Sequence, residues 1–258
     1  MTFTSAEITA WVGSLLWPFF RIGAMVSSAP VSGSRSVPRR VKLFITLTLT
    51  IVIAPQIPPV PHFDPFSPMT LLLIVQQLLI GVAMGMALQL VFSAIVTGGQ
   101  IIAYQMGLGF ASMVDPQSGV SVPVVSQVYL LAASLVYLAF NGHLILIEVV
   151  AQSFHTMPVA PDGLTRNGLW QLVSWGSEMY AGAVLVAIPT VAAILVVNIA
   201  FGVMTRAAPQ LNIFAVGFPL TLTLGFLVMM FTFPSLVPQT GHLVEEVFVL
   251  LRSLTSGE

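Results

Sequence analysis

The side chains in this 258-residue chain that could do acid–base or metal chemistry are four histidines, His62, His143, His155 and His242, and a handful of carboxylates. Catalysis by such groups needs two or more of them spaced so that they face one reacting atom. Here they are scattered, and no H-E-x-x-H, G-x-S-x-G or Walker-type phosphate loop accompanies them. The chain has no cysteine, which removes thiolate nucleophiles, thiolate metal sites and disulfides. The pattern argues against an enzyme, and no cofactor or metal is expected.

Two other features carry more chemistry. Glu148 stands in the apolar run "LILIEVVAQ", and an ionised carboxylate at the centre of a membrane helix costs about 2.5–3.5 kcal/mol. It is the sharpest intramembrane polar candidate: either a proton or ion site, or a group paired with a polar neighbour near an interface. The second feature is "QMGLGFASMVDPQSG", residues 105–119. Gly107, Gly109 and Gly119 admit positive φ, while Pro116 bars Asp115 from helical geometry and removes a donor. These residues predict a loop. Leu108, Phe110, Met113 and Val114 nevertheless make it apolar, as a solvated connector need not be. A movable segment that excludes water from a protein-lined cavity does need them. The flexible thioethers of Met106 and Met113 can close irregular gaps, and Met84 and Met86 precede them, although core or lipid-facing filler is the commoner fate of methionine.

The elements that position these residues follow from composition. Charged residues make up 7% of the chain and hydrophobic ones 57%, with mean hydropathy +0.98. Soluble domains carry about 25% charged residues, so the chain reads as an all-α integral membrane protein with one domain. Six apolar runs, at about 8–28, 41–60, 69–96, 122–157, 179–205 and 211–237, are the expected segments. They are continuous, unlike the alternating strands of an outer-membrane barrel. The run at 122–157 is too long for one crossing, and Asn141–Gly142 in "FNGHL" predicts a turn within it. "GVAMG" (81–85) is a G-x-x-x-G that lets helices approach through Gly81 and Gly85, and Gly98, Gly99 and Ala103 extend the small-residue surface. In "HLVEEVFVLLRSL" the stripe Leu243, Val247, Leu250, Leu251 and Leu254 predicts a helix packed on a neighbour.

Basic residues set an expected orientation. Arg35, Arg39, Arg40, Lys42 and Arg206 fall on one side of six alternating spans, against Arg166 and Arg252 on the other. This places the "SGSRSVPRRVK" loop and residues 105–119 in the cytoplasm, with Asp64, Asp162, Glu245 and Glu246 opposite. The first basic residue is Arg21, so the charged start of a secretory signal is missing and the N-terminus is expected to be retained. A net charge of −1 gives no case for nucleic-acid binding.

Three stretches in this order, "GGQIIAYQMGLGFASMVDPQSG", "FNGHLILIEVVAQSFHTMP" and "RAAPQLNIFAVGFPLTLTLG", closely resemble the FliR family of the flagellar type III secretion export gate, the R/T subunit family. The similarity covers nearly the whole chain. It implies a channel-core subunit assembled with FliP and FliQ, working beside FlhB and FlhA, that conducts unfolded flagellar proteins across the bacterial inner membrane. It implies a place in the flagellar basal body, extending to the periplasmic side, and energy drawn from partners and the proton-motive force. It assigns residues 1–178 to a P-like part and 179–258 to a Q-like hairpin, turning at 206–211, plus a C-terminal helix. It also makes Met106, Gly107, Leu108, Gly109, Phe110, Ala111, Ser112, Met113, Val114, Asp115, Pro116, Gln117, Ser118 and Gly119 the plug that seals the closed channel. Two rivals stay open: a secondary transporter using Glu148, and a purely structural nucleus for assembly of the gate.

Overall fold

A computed structural model describes residues 5–58, 67–109, 124–161, 163–207 and 213–256. Among these residues the regular structure is helical: α1 (Ser5–Ser28), α2 (Arg39–Ile53), α3 (Pro68–Gln105), α4 (Val124–Ala139), α5 (Gly142–Thr156), α6 (Arg166–Ala207), α7 (Ile213–Thr232) and α8 (Leu236–Ser256). Short 3-10 turns at Ala54–Gln56 and Phe233–Ser235 each carry a proline, Pro55 and Pro234, early in the turn. The helices gather into two compact units. One comprises Met1–Leu90, Asn141–Gly176 and Val244–Glu258, the other Val91–Phe140 and Ser177–Leu243.

The all-α membrane character stands, while the count of six segments is not confirmed. Among the described residues three helical stretches are long and apolar enough to cross a bilayer: Pro68–Gln105 with 38 residues, Arg166–Ala207 with 42, and Gly217–Thr255 with 39. The pair α4 and α5, bent at their break, makes at most a fourth. The runs at 8–28 and 41–60 are not among these within the described residues, and α2 is only 15 residues long. At 1.5 Å per residue the three long helices measure roughly 60 Å, about twice the hydrocarbon thickness of a bilayer. Hydropathy counts apolar runs, and a run that packs on protein is counted along with one that faces lipid. The most apolar window of α3 is 61% buried, against 22% for Arg166–Ala207 and 11% for Gly217–Thr255, which makes α3 the internal helix of the three.

The expected turn at Asn141–Gly142 is where the long run breaks. Asn141 takes a left-handed conformation, φ 56° and ψ 25°, which asparagine tolerates better than most residues. Its carbonyl accepts from Leu144 and Ile145 and so opens α5. In the C-terminal stripe Leu243, Val247, Leu251 and Leu254 are buried within the chain itself. The neighbour expected there is therefore intramolecular: Leu254 lies against Gly168 of α6.

The first unit is organised around Arg21, whose side chain is fully buried. Its Nε donates to Gln77 Oε1 of α3 at 2.8 Å, and Nη1 donates to both the carbonyl and Oγ of Ser153 in α5 at 2.9 Å. Nη2 donates to the carbonyl of Met157 at 2.9 Å, and the guanidinium carbon sits 4.1 Å from the centre of the Phe154 ring. Close approach of backbones brings these groups within reach. A Cβ on Gly81 would strike the carbonyl oxygen of Arg21, and one on Gly85 would strike Ser28 Oγ and, at 2.8 Å, the nitrogen of Ala29. The G-x-x-x-G thus packs α3 directly on α1.

Replacing Arg21 by Met orphans Gln77 Oε1 and the end-of-helix carbonyls of α5 in a dry interior. With about 1–3 kcal/mol for each buried group left unsatisfied, Arg21→Met should lower unfolding free energy in detergent by more than about 3 kcal/mol. Arg21→Lys should recover only part, since an ammonium cannot reproduce the fork. Equal stability of Arg21→Met and the parent would contradict this account.

Candidate functional site

The site is the point where α3 ends and the glycine-rich loop begins. Its first residues, Met106, Gly107, Leu108 and Gly109, are described; the remaining plug candidates, residues 110–119 with Asp115–Pro116, lie outside the described residues. Met106 keeps the helical bond, its N–H donating to the Ile102 carbonyl at 3.0 Å. Gly107 N–H then donates to the Tyr104 carbonyl and Leu108 N–H reaches back to the Ala103 carbonyl, both at 3.0 Å. With Gly107 at φ 85°, this double bond pattern is a Schellman cap. It satisfies carbonyls that a simple fraying end would leave exposed and turns the chain off the helix axis. Gly107 is thus one of the three glycines whose positive φ is in use; Gly109 is not, and Gly119 lies outside the described residues.

Side chains hold this cap on α7. The Met106 side chain is fully buried, and a Cβ on Gly225 would meet its Cγ at 2.7 Å, Cε at 2.9 Å and Sδ at 3.2 Å. A Cβ on Gly107 would meet the Phe218 ring, with Cε2 at 3.0 Å and Cδ2 at 3.2 Å. Phe218 and Gly225 are seven residues apart and therefore share one face of α7. That face has a ring to cover one glycine and a gap to receive one methionine. Gly109 is bare for a different reason: a Cβ there would lie 2.7 Å from Cδ1 of Tyr104.

Two turns before the cap, Gly98 and Gly99 seat α3 between two helices. A Cβ on Gly98 would lie 2.9 Å from the Ala183 carbonyl oxygen and from Val186 Cγ1 on α6, and one on Gly99 would lie 2.9 Å from Ser126 Cα on α4. T-shaped pairs, Phe92 with Tyr137 at 5.6 Å and Tyr129 with Phe233 at 5.7 Å, pack the same unit. The Thr190 and Thr232 hydroxyls share a 2.9 Å bond between α6 and α7. The loop base is thus a close-packed, largely apolar platform.

Glu148 is not part of it. It is exposed on α5 and accepts a 3.0 Å bond from Gln152 Nε2, one helical turn on. Met84 is buried and Met86 is 44% exposed, so the two methionines before the loop have separate environments. Among the described residues no three His, Asp or Glu side chains gather as a metal site.

A sequence profile for the family described as "Bacterial export proteins, family 1" matches residues 12–247. The chain belongs to this family. It is 42% identical over 255 residues to the "Flagellar biosynthetic protein FliR" of Escherichia coli (strain K12), covering 98% of this chain and 97% of that protein. To the protein of the same name from Pectobacterium carotovorum subsp. carotovorum it is 38% identical, with the same coverage of 98% and 97%. At 27% identity it also matches the Bacillus subtilis (strain 168) protein of that name over 84% of each chain. The match runs through the whole platform of this export-family chain, from α1 to α8.

Sequence reasoning picked out the cap glycine but not what receives it. Phe218 and Gly225 lie inside the recognised "RAAPQLNIFAVGFPLTLTLG" stretch, yet nothing in their spacing says which helix end they face. Arg21 was noted only as the first basic residue; the signal that could have marked it is its place as a lone cation in the apolar stretch "PFFRIGAM", a charge that must find partners inside the protein.

Gly107→Ala should strain the cap by about 1–2 kcal/mol, the cost of a left-handed conformation for an L-residue. Amide exchange at Leu108 should then accelerate about 5–30-fold, with little change in the middle of α3. Unaltered exchange at Leu108 would show that the cap does not depend on positive φ at this residue.

Proposed function

We infer that this chain is a channel-core subunit of the flagellar type III export gate, and that residues 106–119 are its plug. The observation that carries the reading is the cap at Met106–Leu108: α3 ends in a closed turn packed on α7, immediately before the apolar, glycine-rich sequence of residues 108–119. A base fixed in this way would let a seal beyond it move without unwinding the helix that carries it. Membership of an export family, and similarity to proteins named for flagellar biosynthesis, support the same reading. In this proposal the chain assembles with FliP and FliQ in the bacterial inner membrane at the flagellar basal body, meets FlhB and FlhA, and passes unfolded substrates. Helices of roughly twice the bilayer thickness support a core that extends beyond the hydrocarbon, toward the periplasmic side. The P-like part at 1–178 and the Q-like part at 179–258 describe likeness to partner folds, a different division from the two compact units.

A secondary transporter has no comparable support. Its candidate carboxylate, Glu148, is exposed and bonded to the neutral Gln152.

Deleting residues 110–119 while keeping the cap should raise the ion conductance of the assembled complex in a planar bilayer. An intact complex of unchanged conductance would contradict the plug assignment. Glu148→Gln should leave export of flagellar proteins unaltered in a motility and secretion assay; loss of export would revive a coupling carboxylate.

A further inference from the structure

An open groove of about 360 Å³ runs between α1 and α2 in the first unit, with Leu78 of α3 also lining it. Its walls are apolar, set by Phe19, Phe20, Leu43 and Leu78, and Arg39 and Lys42 also line it. Leu43 is 52% exposed and Leu78 38% exposed, so these groove walls also belong to an apolar surface that faces out of the chain.

The charge beside this groove is uncompensated within the segment. From residue 8 to residue 63 the sequence contains Arg21, Arg35, Arg39, Arg40 and Lys42 and no Asp or Glu. Arg39 is exposed, and its side chain makes no hydrogen bond or ion pair with any described residue. Lys42 Nζ donates to the Gly33 carbonyl at 2.6 Å, which uses one of three donors. α2 also begins against electrostatic preference, with Pro38 at the N-cap, no side-chain cap and no acidic residue in its first turn. Three cations therefore crowd the positive end of the helix dipole, and an anion placed there relieves them all.

We propose that this groove is a binding site for one anionic phospholipid, with its phosphate held by Arg39 and Lys42 and an acyl chain lying along Phe20, Leu43 and Leu78. The combination of a lone basic end with an apolar trough matches an amphiphile carrying one negative head. A partner helix fits less well, because it would have to bring a carboxylate of its own to Arg39 and Lys42, which an anionic headgroup supplies by itself. Basic pockets beside membrane helices are the common form of anionic headgroup sites. The bound lipid covers the apolar walls that flank the α1–α2 contact, where Thr46 packs on Gly23.

The test uses the full-length protein in phosphatidylcholine nanodiscs containing a phosphatidylglycerol with a photoactivatable acyl chain. Adducts should map to the α1 and α2 residues of the groove, and unlabelled phosphatidylglycerol should compete where phosphatidylcholine does not. In Arg39→Gln/Lys42→Gln the competing strength should fall by about thirtyfold, two contacts of the size basic residues make at an anionic surface. Leu43→Trp keeps both cations, fills the trough and should also abolish the adduct, whereas Arg40→Gln, outside the groove, should not. Each variant is compared at matched helical content and monodisperse elution, and Leu43→Trp decides if the double variant fails that check. Equal competition by phosphatidylcholine, full competition by inorganic phosphate alone, or undiminished labelling of Leu43→Trp would overturn the proposal. So would a photoreactive residue in place of Phe20 that captures a polypeptide and no lipid in native membranes.

Discussion

A guanidinium sealed from solvent has to find every partner inside the protein, and Arg21 finds them in neutral oxygens. Its four hydrogen bonds go to one amide side chain, one hydroxyl and two main-chain carbonyls. The two carbonyls, those of Ser153 and Met157, belong to the C-terminal end of α5, where the helix dipole favours a cation. Ser153 Oγ in turn donates to the Val150 carbonyl at 2.6 Å, so the acceptor is itself held in place. An arginine suits this arrangement because its planar fork is weakly hydrated and reaches several acceptors at once. The geometry tolerates little slack. It requires α1 against α3 at backbone distance, which Gly81 and Gly85 permit, and it requires α5 to end where Pro158 forbids continuation.

The same economy recurs at the other end of α3. There the helix must stop cleanly, because a frayed end would expose carbonyls in an apolar setting, and the Schellman cap at Gly107 stops it. Met106 in the gap at Gly225 and Phe218 over Gly107 then fix the direction in which the chain leaves. Along one helix, glycine thus serves two physical purposes. At positions 81, 85, 98 and 99 it removes a side chain so that another backbone or side chain can come near; at 107 it supplies a conformation. The platform is close-packed where backbones touch, and the cap at Gly107 ends the helix with its carbonyls satisfied.

Much of this was legible in the sequence, and the exceptions have physical causes. The all-helical membrane character followed from composition, the break at Asn141 from the tolerance of asparagine for left-handed geometry, and the end of α3 from the run of glycines after Gln105. The count of six apolar segments is not confirmed among the described residues, since hydropathy cannot tell a surface that meets lipid from one that meets another helix. The stripe at Leu243, Val247, Leu251 and Leu254 was visible as a stripe, but its partner was not: an amphipathic period says that a face is covered and not by what. Arg21 was noted only as the first basic residue; its partners lie 56 to 136 residues away in the chain, and no local pattern connects them. Gly107 was found because its requirement is local, whereas Phe218 and Gly225 were not singled out because theirs depends on tertiary contact.

The central claim is that the loop leaving the Gly107 cap lies in the path of the exported chain. Because the protein contains no cysteine, Ser112→Cys supplies a single thiol within that loop. A flagellar export substrate carrying its own cysteine is stalled in the assembled complex, and disulfide capture is measured against a control cysteine on the exposed face of α6. The account predicts a bond formed by the loop thiol and not by the control. Capture of the same substrate by a cysteine in a partner subunit, with the loop thiol untouched, would place the loop outside the path and contradict it.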